Sequence, residues 1–531
     1  MEKIYTLDTT LRDGLQAQTV SFSLKDKLKI IGLLDKLGID FIEVGNPAFG
    51  KADEEFFKSL ETIKTVNSKI VTFSPTCRVG EEAKDSAVLN AVVNTGIKYC
   101  TVFGKTWKLH IDEVLKTSEE ENLRMIRDSI EYLRSKGKIV FFDCEHFFDG
   151  YKHNHDYAID VLRTAASAGA DTLILCDTNG GSFPDDIKKA VREVTKLFGV
   201  KIGIHAHNDC DMAVANSVTA ALCGCVHVQG TINGVGERCG NANLATIIAN
   251  LQLKKNFRVL PEGNISLLTD VSRAVAQTTN LSTTSLPYIS RNAFAHKAGM
   301  HVDGVMKNPA TFEHIDPSLV GNKRNFILSE ISGKSAFLNS VKKVIPDMKR
   351  DDPRMDDLLK VLKQKESDGY HFEVAQESLE LLIKRQLGLY KPFFEVEKLK
   401  LIDEQITETS ANTSYAFIKV AVNGIEELAA AESDGPVHAL DQALRKSLCN
   451  AYPSLQNVRL TDYKVRVLES KSSTGSKVRV LVESTDGIDV WNTVGVSVDI
   501  IEASKMAIVD SIEYKLMKDI SCHPNVTASA E

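Results

Sequence analysis

Across roughly the first 255 residues, short apolar runs alternate with longer segments whose apolar residues recur every three to four positions. The runs read as β-strands and the longer segments as amphipathic helices. Strands are predicted at Ile4–Asp8, Phe41–Val44, Ile70–Phe73, Tyr99–Phe103, Ile139–Cys144, Thr172–Cys176, Lys201–His205 and Cys225–Gln229. Helices are predicted at Leu24–Leu37, Asp53–Val66, Glu81–Asn94, Glu119–Ser135, His155–Ala168, Pro184–Leu197, Cys210–Ala221 and Asn241–Leu253. Pro184 suits the first turn of its helix, with Ser182 nearby as a cap. Eight βα units in about 255 residues is the size of a closed parallel TIM (β/α)8 barrel. An open doubly wound sheet is the alternative, but no glycine fingerprint follows the first strand.

Polar residues follow nearly every predicted strand. They are Asp8 and Asp13, Glu43, Arg78, Lys105, Glu145, Asp177 with Thr178, His205 with His207, and Asn233, Glu237 and Asn241. In a parallel barrel these ends share one rim, where chemistry sits. The texture then changes. Residues 256–390 are less regular and carry the polar, glycine-bearing run His296–Gly304, with helical patterns at Lys334–Lys343, Asp356–Gln364 and Phe372–Arg385. Beyond Phe393, strands are predicted at Ala416–Val422, Tyr463–Leu468 and Val478–Glu483, and helices at Val437–Leu448 and Ser504–Leu516. The phrases Glu432-Ser433-Asp434-Gly435 and Glu483-Ser484-Thr485-Asp486-Gly487 read as echoes of one unit. The expected organisation is therefore a catalytic barrel over 1–275, a helical linker region over 276–390, and a C-terminal α+β domain over 391–531 made of two βββα-type repeats. No catalytic cluster falls in the last domain, which points to regulation or dimerisation.

Composition narrows the class. The 531 residues are 43% hydrophobic and 25% charged, as in soluble globular proteins. A net charge of -7 argues against nucleic acid as the main partner. No apolar stretch reaches the ~20 residues that span a bilayer, and no apolar signal segment opens the chain. The ten cysteines are scattered, which fits reduced thiols in the cytoplasm. Cys223 and Cys225 lack the usual CxxC spacing of a zinc site.

Three motifs carry the chemistry: Thr10-Leu11-Arg12-Asp13-Gly14, His205-Ala206-His207-Asn208-Asp209 and Gly234-Val235-Gly236-Glu237-Arg238-Cys239-Gly240-Asn241. Histidines spaced i, i+2 on a strand point to one face. With Asp13 they would make an imidazole–carboxylate site for Mg²⁺, Mn²⁺ or Zn²⁺, and Asn241 could add an oxygen. Packed or surface histidines are the simpler alternative. Arg12 could fork a carboxylate or steady a developing enolate, or it could merely pair with Glu43. Glu145 could hold a proton or be a rim ion pair. The glycine loop either aims backbone N–H groups and Asn241 at the site or only turns the chain. His301, in His301-Val302-Asp303-Gly304, would make a base if an acid holds it. Phe103, Phe142 and Phe147 are candidates for the walls of a substrate pocket.

These motifs, in this order, resemble those of the family that groups alpha-isopropylmalate synthases, homocitrate synthases and HMG-CoA lyases. Leu11-Arg12-Asp13-Gly14-Leu15-Gln16 looks like its L-R-D-G-x-Q signature, followed by H-x-H-N-D and G-x-G-E-R-x-G-N. The synthases add an H-x-D-G element and a C-terminal allosteric domain that the lyases lack, so the resemblance favours a synthase. Leu362–Glu373 and Glu145–Gly150 resemble segments of the (R)-citramalate synthase branch.

The resemblance implies a Claisen-type condensation of acetyl-CoA with pyruvate, in isoleucine biosynthesis, by a homodimer. It implies Asp13, His205, His207 and Asn241 as ligands of a divalent cation, and Arg12, Glu145 and His301 as catalytic residues. Thr178, Arg12 and Asp13 would touch the acceptor. Isoleucine is the implied effector of the C-terminal domain. The alternatives are an isopropylmalate or homocitrate synthase with a larger 2-oxo acid, a carbon–carbon lyase, and a non-catalytic metabolite-sensing scaffold.

Overall fold

The computed structural model describes residues 1–18, 20–48, 51–60, 62–279, 285–326, 334–349, 351–404, 413–468 and 476–522. It divides into two compact units, residues 1–295 with 314–325, and residues 296–313 with 326–531.

The first unit is built on a closed, eight-stranded parallel barrel in sequential order: β1 Tyr5–Asp8, β2 Phe41–Glu43, β3 Lys69–Pro75, β4 Tyr99–Lys105, β5 Ile139–Glu145, β6 Thr172–Asp177, β7 Lys201–Ala206 and β8 His227–Gly230. Leu7 of β1 is in register with Phe41 of β2 and with Gln229 of β8, which closes the ring. The two faces of each strand do different work. Ile42, Val102, Phe142, Leu173, Ile204 and Val228 point outward into the main core beneath the helices. Leu7, Val71 and Phe141 form a separate, smaller apolar cluster inside the barrel. One residue pair further along the inward phase the interior turns polar, with Glu43, Asp143, His205 and Gln229 all buried. The site is therefore a polar layer resting on an apolar plug.

Several helix boundaries differ from the sequence expectation, for local reasons. The second helix spans Lys51–Leu60 and does not reach Val66, because the Asp35 carboxylate accepts the N–H groups of Val66, Asn67 and Ser68 and bends the chain there. The third begins late, at Ala87, after a 3-10 turn over Ala83–Asp85. Ser182 is not a cap. Its hydroxyl donates to Asp177 at 2.9 Å, Phe183 takes the N-cap position, and Asp186 accepts the Phe183 N–H at 3.2 Å. The eighth helix starts at Leu244 rather than Asn241, with Asn243 capping the Ala245 N–H at 3.1 Å.

In the second unit, the run around His301 is a helix, Gly299–Lys307. Helices Lys334–Val344, Pro353–Ser367 and Gln376–Gln386 pack Val341, Met355, Leu358, Leu362, Phe372 and Leu379 into one cluster. The C-terminal part is an α+β fold of two βββα repeats. Strands Glu395–Glu404, Thr413–Val422 and Ile425–Ser433 precede helix Pro436–Leu448, and strands Arg459–Val467, Val478–Thr485 and Val490–Ser497 precede helix Ile500–Cys522. Each sheet is an antiparallel meander. The two phrases read as echoes do not occupy equivalent places. Glu432–Gly435 lies at a strand-to-helix junction, whereas Glu483–Gly487 ends a middle strand and turns the hairpin. Asp486 makes that turn by accepting the Ile488 and Asp489 N–H groups at 3.0 and 2.8 Å, an Asx geometry. Among the described residues no helix is long and apolar enough to cross a membrane.

Candidate active site

The barrel rim gathers the three polar motifs. Just past β1, Asp8 folds the chain back by accepting the Thr10 N–H at 3.0 Å and the Thr10 hydroxyl at 2.9 Å. Asp13 then opens a 3-10 turn over Asp13–Gln16 and is buried. His205 lies on the inward phase of β7 and His207 follows two residues later, both buried. Asn241 is brought opposite His207 by an isolated antiparallel bridge. One potential ligand atom from each of Asp13, His205 and His207 lies within 4.8 Å of the others.

The glycines of the third motif make this approach possible. At Gly236 a Cβ would sit 1.9 Å from Asn241 Oδ1, and at Gly240, with φ +91°, a Cβ would meet the Gly234 carbonyl oxygen at 2.2 Å. The loop is thus a tight turn that lets Asn241 approach closely.

Electrostatics prepare the cluster for a cation. Burial opposes the Asp13 charge, but Arg12, His205 and His207 hold the carboxyl below its usual range. Burial lowers His205, and burial with the proximity of His205 takes His207 down to about 3. Both imidazoles are therefore neutral at physiological pH and offer lone pairs. His207 Nδ1 and Asn241 Oδ1 are buried without a hydrogen-bond partner. Orphaned polar atoms beside an ionised carboxylate fit a site for a divalent cation.

Arg12 makes the expected pair with Glu43 and a second one with Asp13. Its Nε donates to Glu43 at 2.6 Å, its Nη1 pairs with Asp13, and the guanidinium lies 3.9 Å over the Phe73 ring. Burial disfavours its charge, yet Asp13 and Glu43 hold the proton more tightly than on an ordinary arginine. Glu145 ends β5 and pairs with Lys105 at 2.5 Å. The Thr178 hydroxyl accepts the His146 N–H at 2.9 Å. Arg238 forks Asp209 at 2.8 and 2.9 Å and donates to the Thr178 carbonyl at 2.8 Å, tying three rim loops together. His301 belongs to the second unit, where it lies exposed on its helix with its ring stacked 4.2 Å from Phe312.

Two of the suggested pocket walls are misplaced. Phe142 and Phe147 are fully buried in the core beneath the helices. Phe142 lies on the outward phase of β5, one residue out of step with Phe141 inside. Phe103 keeps an inward place, stacked 5.0 Å from Phe73 beneath Arg12. Sequence reasoning missed Thr9, Asp143 and Gln229. Thr9 donates to Asp13 at 2.8 Å, and Gln229 bridges His205 and Asp143 at 2.8 and 3.0 Å. For Asp143 and Gln229 the signal was a polar residue within an apolar strand, which is costly unless partnered.

An (β/α)8 barrel with this carboxylate–imidazole rim defines the class, and the chain belongs to the HMGL-like family, whose model matches residues 3–275. Residues 288–369 match a homocitrate synthase post-HMGL domain-like model, and residues 373–516 match the LeuA allosteric (dimerisation) domain. Among individual proteins, the chain is 46% identical to an (R)-citramalate synthase of Aquifex aeolicus over 98% of both chains. It is 43% identical to an (R)-citramalate synthase of Sulfolobus acidocaldarius, again over 98% of both. It is 31% identical to a 2-isopropylmalate synthase of Listeria monocytogenes over 96% of both.

Because the Gly236 methyl position is occupied by Asn241 Oδ1, Gly236→Ala is expected to lower stability by about 1–3 kcal/mol. Urea unfolding of the whole chain reads this, and an unchanged midpoint would mean that the loop yields without cost.

Proposed function

We propose that the chain is an (R)-citramalate synthase, which condenses acetyl-CoA with pyruvate and hydrolyses the thioester to (R)-citramalate and CoA. The observation that carries this reading is the buried Asp13–His205–His207 cluster with the orphaned Asn241 oxygen beside Arg12. Similarity to (R)-citramalate synthases along nearly the whole chain supports the choice of pyruvate.

A divalent cation, Mg²⁺, Mn²⁺ or Zn²⁺, held by Asp13, His205, His207 and Asn241 would polarise the keto group of the acceptor. Arg12, immobilised between Glu43, Asp13 and the Phe73 ring, balances negative charge as it builds on the acceptor oxygen. Thr178, whose hydroxyl oxygen already accepts from His146, directs its own proton to the pyruvate carboxylate. His301 removes a methyl proton from acetyl-CoA, reaching the barrel of the partner subunit in a homodimer. The methyl carbon attacks the ketone, and Glu145, tethered to Lys105, joins the proton transfers. Water then cleaves the thioester, which makes the sequence hard to reverse.

The same division of labour extends along the chain: catalysis over 1–275, a linker over 276–390, and dimerisation with regulation over 391–531, in a cytoplasmic enzyme of isoleucine biosynthesis. An isopropylmalate synthase is the second reading, favoured by the Listeria relative. It requires only a larger pocket, and one methylene in an apolar pocket is worth about 1–3 kcal/mol.

CoA release from acetyl-CoA with pyruvate, 2-oxoisovalerate and 2-oxoglutarate tests the acceptor. Pyruvate is expected to give the highest kcat/KM, and a clear preference for either larger acid overturns the assignment. Isoleucine is expected to inhibit at lower concentration than leucine; titration of both measures this, and indifference to isoleucine rejects it as the effector.

A further inference from the structure

The hydrogen bonds behind His205 have a direction that can be followed from one end to the other. The Asp13 carboxylate is paired with the Arg12 guanidinium and accepts hydrogen bonds. The Asn241 atom 3.3 Å from Asp13 Oδ2 is therefore the amide nitrogen, and that same Nδ2 lies 3.2 Å from His205 Nε2. A donor facing Nε2 makes Nε2 the lone-pair nitrogen, so the imidazole proton is on Nδ1. His205 Nδ1 lies 2.8 Å from Gln229 Oε1, and Gln229 Nε2 in turn donates to Asp143 Oδ1 at 3.0 Å. His205, Gln229 and Asp143 are 5%, 0% and 4% exposed, so water does not substitute for any link.

Strand register places these groups. Gly203 of β7 is in register with His227 of β8, so the side chains two residues on, His205 and Gln229, lie side by side on the inward face. Asp143 lies on the same inward phase of β5, two residues beyond Phe141 of the apolar plug. A buried amide spanning two ionisable groups across the barrel is costly unless both ends are satisfied.

We propose that Gln229, anchored by Asp143, is a positioning residue that holds His205 as the Nδ1–H tautomer with Nε2 aimed at Asp13 and Asn241. This rests on the reading of His205 as a metal ligand. The chain of donors is polarised so that each acceptor is filled from one side only, and reversing any link would put an N–H of His205 where an ion must bind. Outer hydrogen bonds of this kind commonly change metal affinity by roughly 10–100-fold.

The test uses the full-length enzyme, stripped of metal and titrated with Mn²⁺ by calorimetry, for the wild type, Gln229→Leu, Asp143→Leu and Asp143→Asn. Gln229→Leu and Asp143→Leu are expected to weaken binding by roughly 10–100-fold. Asp143→Asn keeps an acceptor oxygen for Gln229 and is expected to bind as the wild type does. A folded Gln229→Leu enzyme with wild-type affinity overturns the proposal, as does Asp143→Asn behaving like Asp143→Leu. Imidazole ¹⁵N spectra of the metal-free wild type, with His205 assigned by substitution, give a second reading independent of whether the variants fold. The Nδ1–H signature is expected, and the Nε2–H signature contradicts the relay. A wild type that binds no Mn²⁺ would instead remove the metal reading, while the spectrum still decides the tautomer.

Discussion

The site depends on a charged carboxylate kept where water cannot reach it. Asp13 is 1% exposed, and an isolated buried carboxylate would ordinarily take up a proton. Arg12 prevents this, and it is itself held by Glu43 and by the face of Phe73. The rest of the rim is arranged around that retained charge. It fixes the orientation of the Asn241 amide, and through Asn241 the protonation of His205. It also leaves His207 Nδ1 and Asn241 Oδ1 buried without a hydrogen-bond partner. A cluster of neutral imidazoles and one carboxylate, with an arginine on its flank, is a donor set suited to a divalent cation.

Pairing a cation with several acids inside a barrel has a cost. Burial pushes the Glu43 carboxyl up despite Arg12, and Asp143 is raised well above the usual range by burial and by Glu43. Arg12 is the guanidinium against which Asp13, Glu43 and Asp143 are all set. Such an interior is destabilising unless its charges are paired. The apolar plug of Leu7, Val71 and Phe141 beneath it keeps the polar layer shallow, so the buried charge lies close to the rim where substrates arrive.

Much of this was legible in the sequence. The eight strands stood out because each is a short apolar run between amphipathic helices, and the paired histidines because period-two spacing puts them on one face. Asp13, His205, His207 and Asn241 stand in three motifs at or just past the ends of strands β1, β7 and β8, so a closed barrel puts them on one rim. The relay through Gln229 to Asp143 was not legible, since it needs the register between β7 and β8 and the reach across the barrel to β5. The phase of β5 was misread for the same reason: Phe141 and Phe142 are indistinguishable in composition, and only closure of the barrel decides which one faces inward. The end of the second helix differs from the periodicity because the Asp35 carboxylate binds the N–H groups of Val66, Asn67 and Ser68 beyond it. The two βββα repeats are present, but the echoed phrases that suggest them turn the chain in different places.

The central claim is that the retained Asp13 charge and the two neutral imidazoles hold one divalent cation. Anomalous diffraction from crystals of the protein soaked in Mn²⁺ tests it most directly. The account predicts a single strong peak within coordination distance of Asp13, His205 and His207, with an oxygen of Asn241 turned towards it. No peak there, or a peak bound elsewhere with His205 and His207 unengaged, would contradict it.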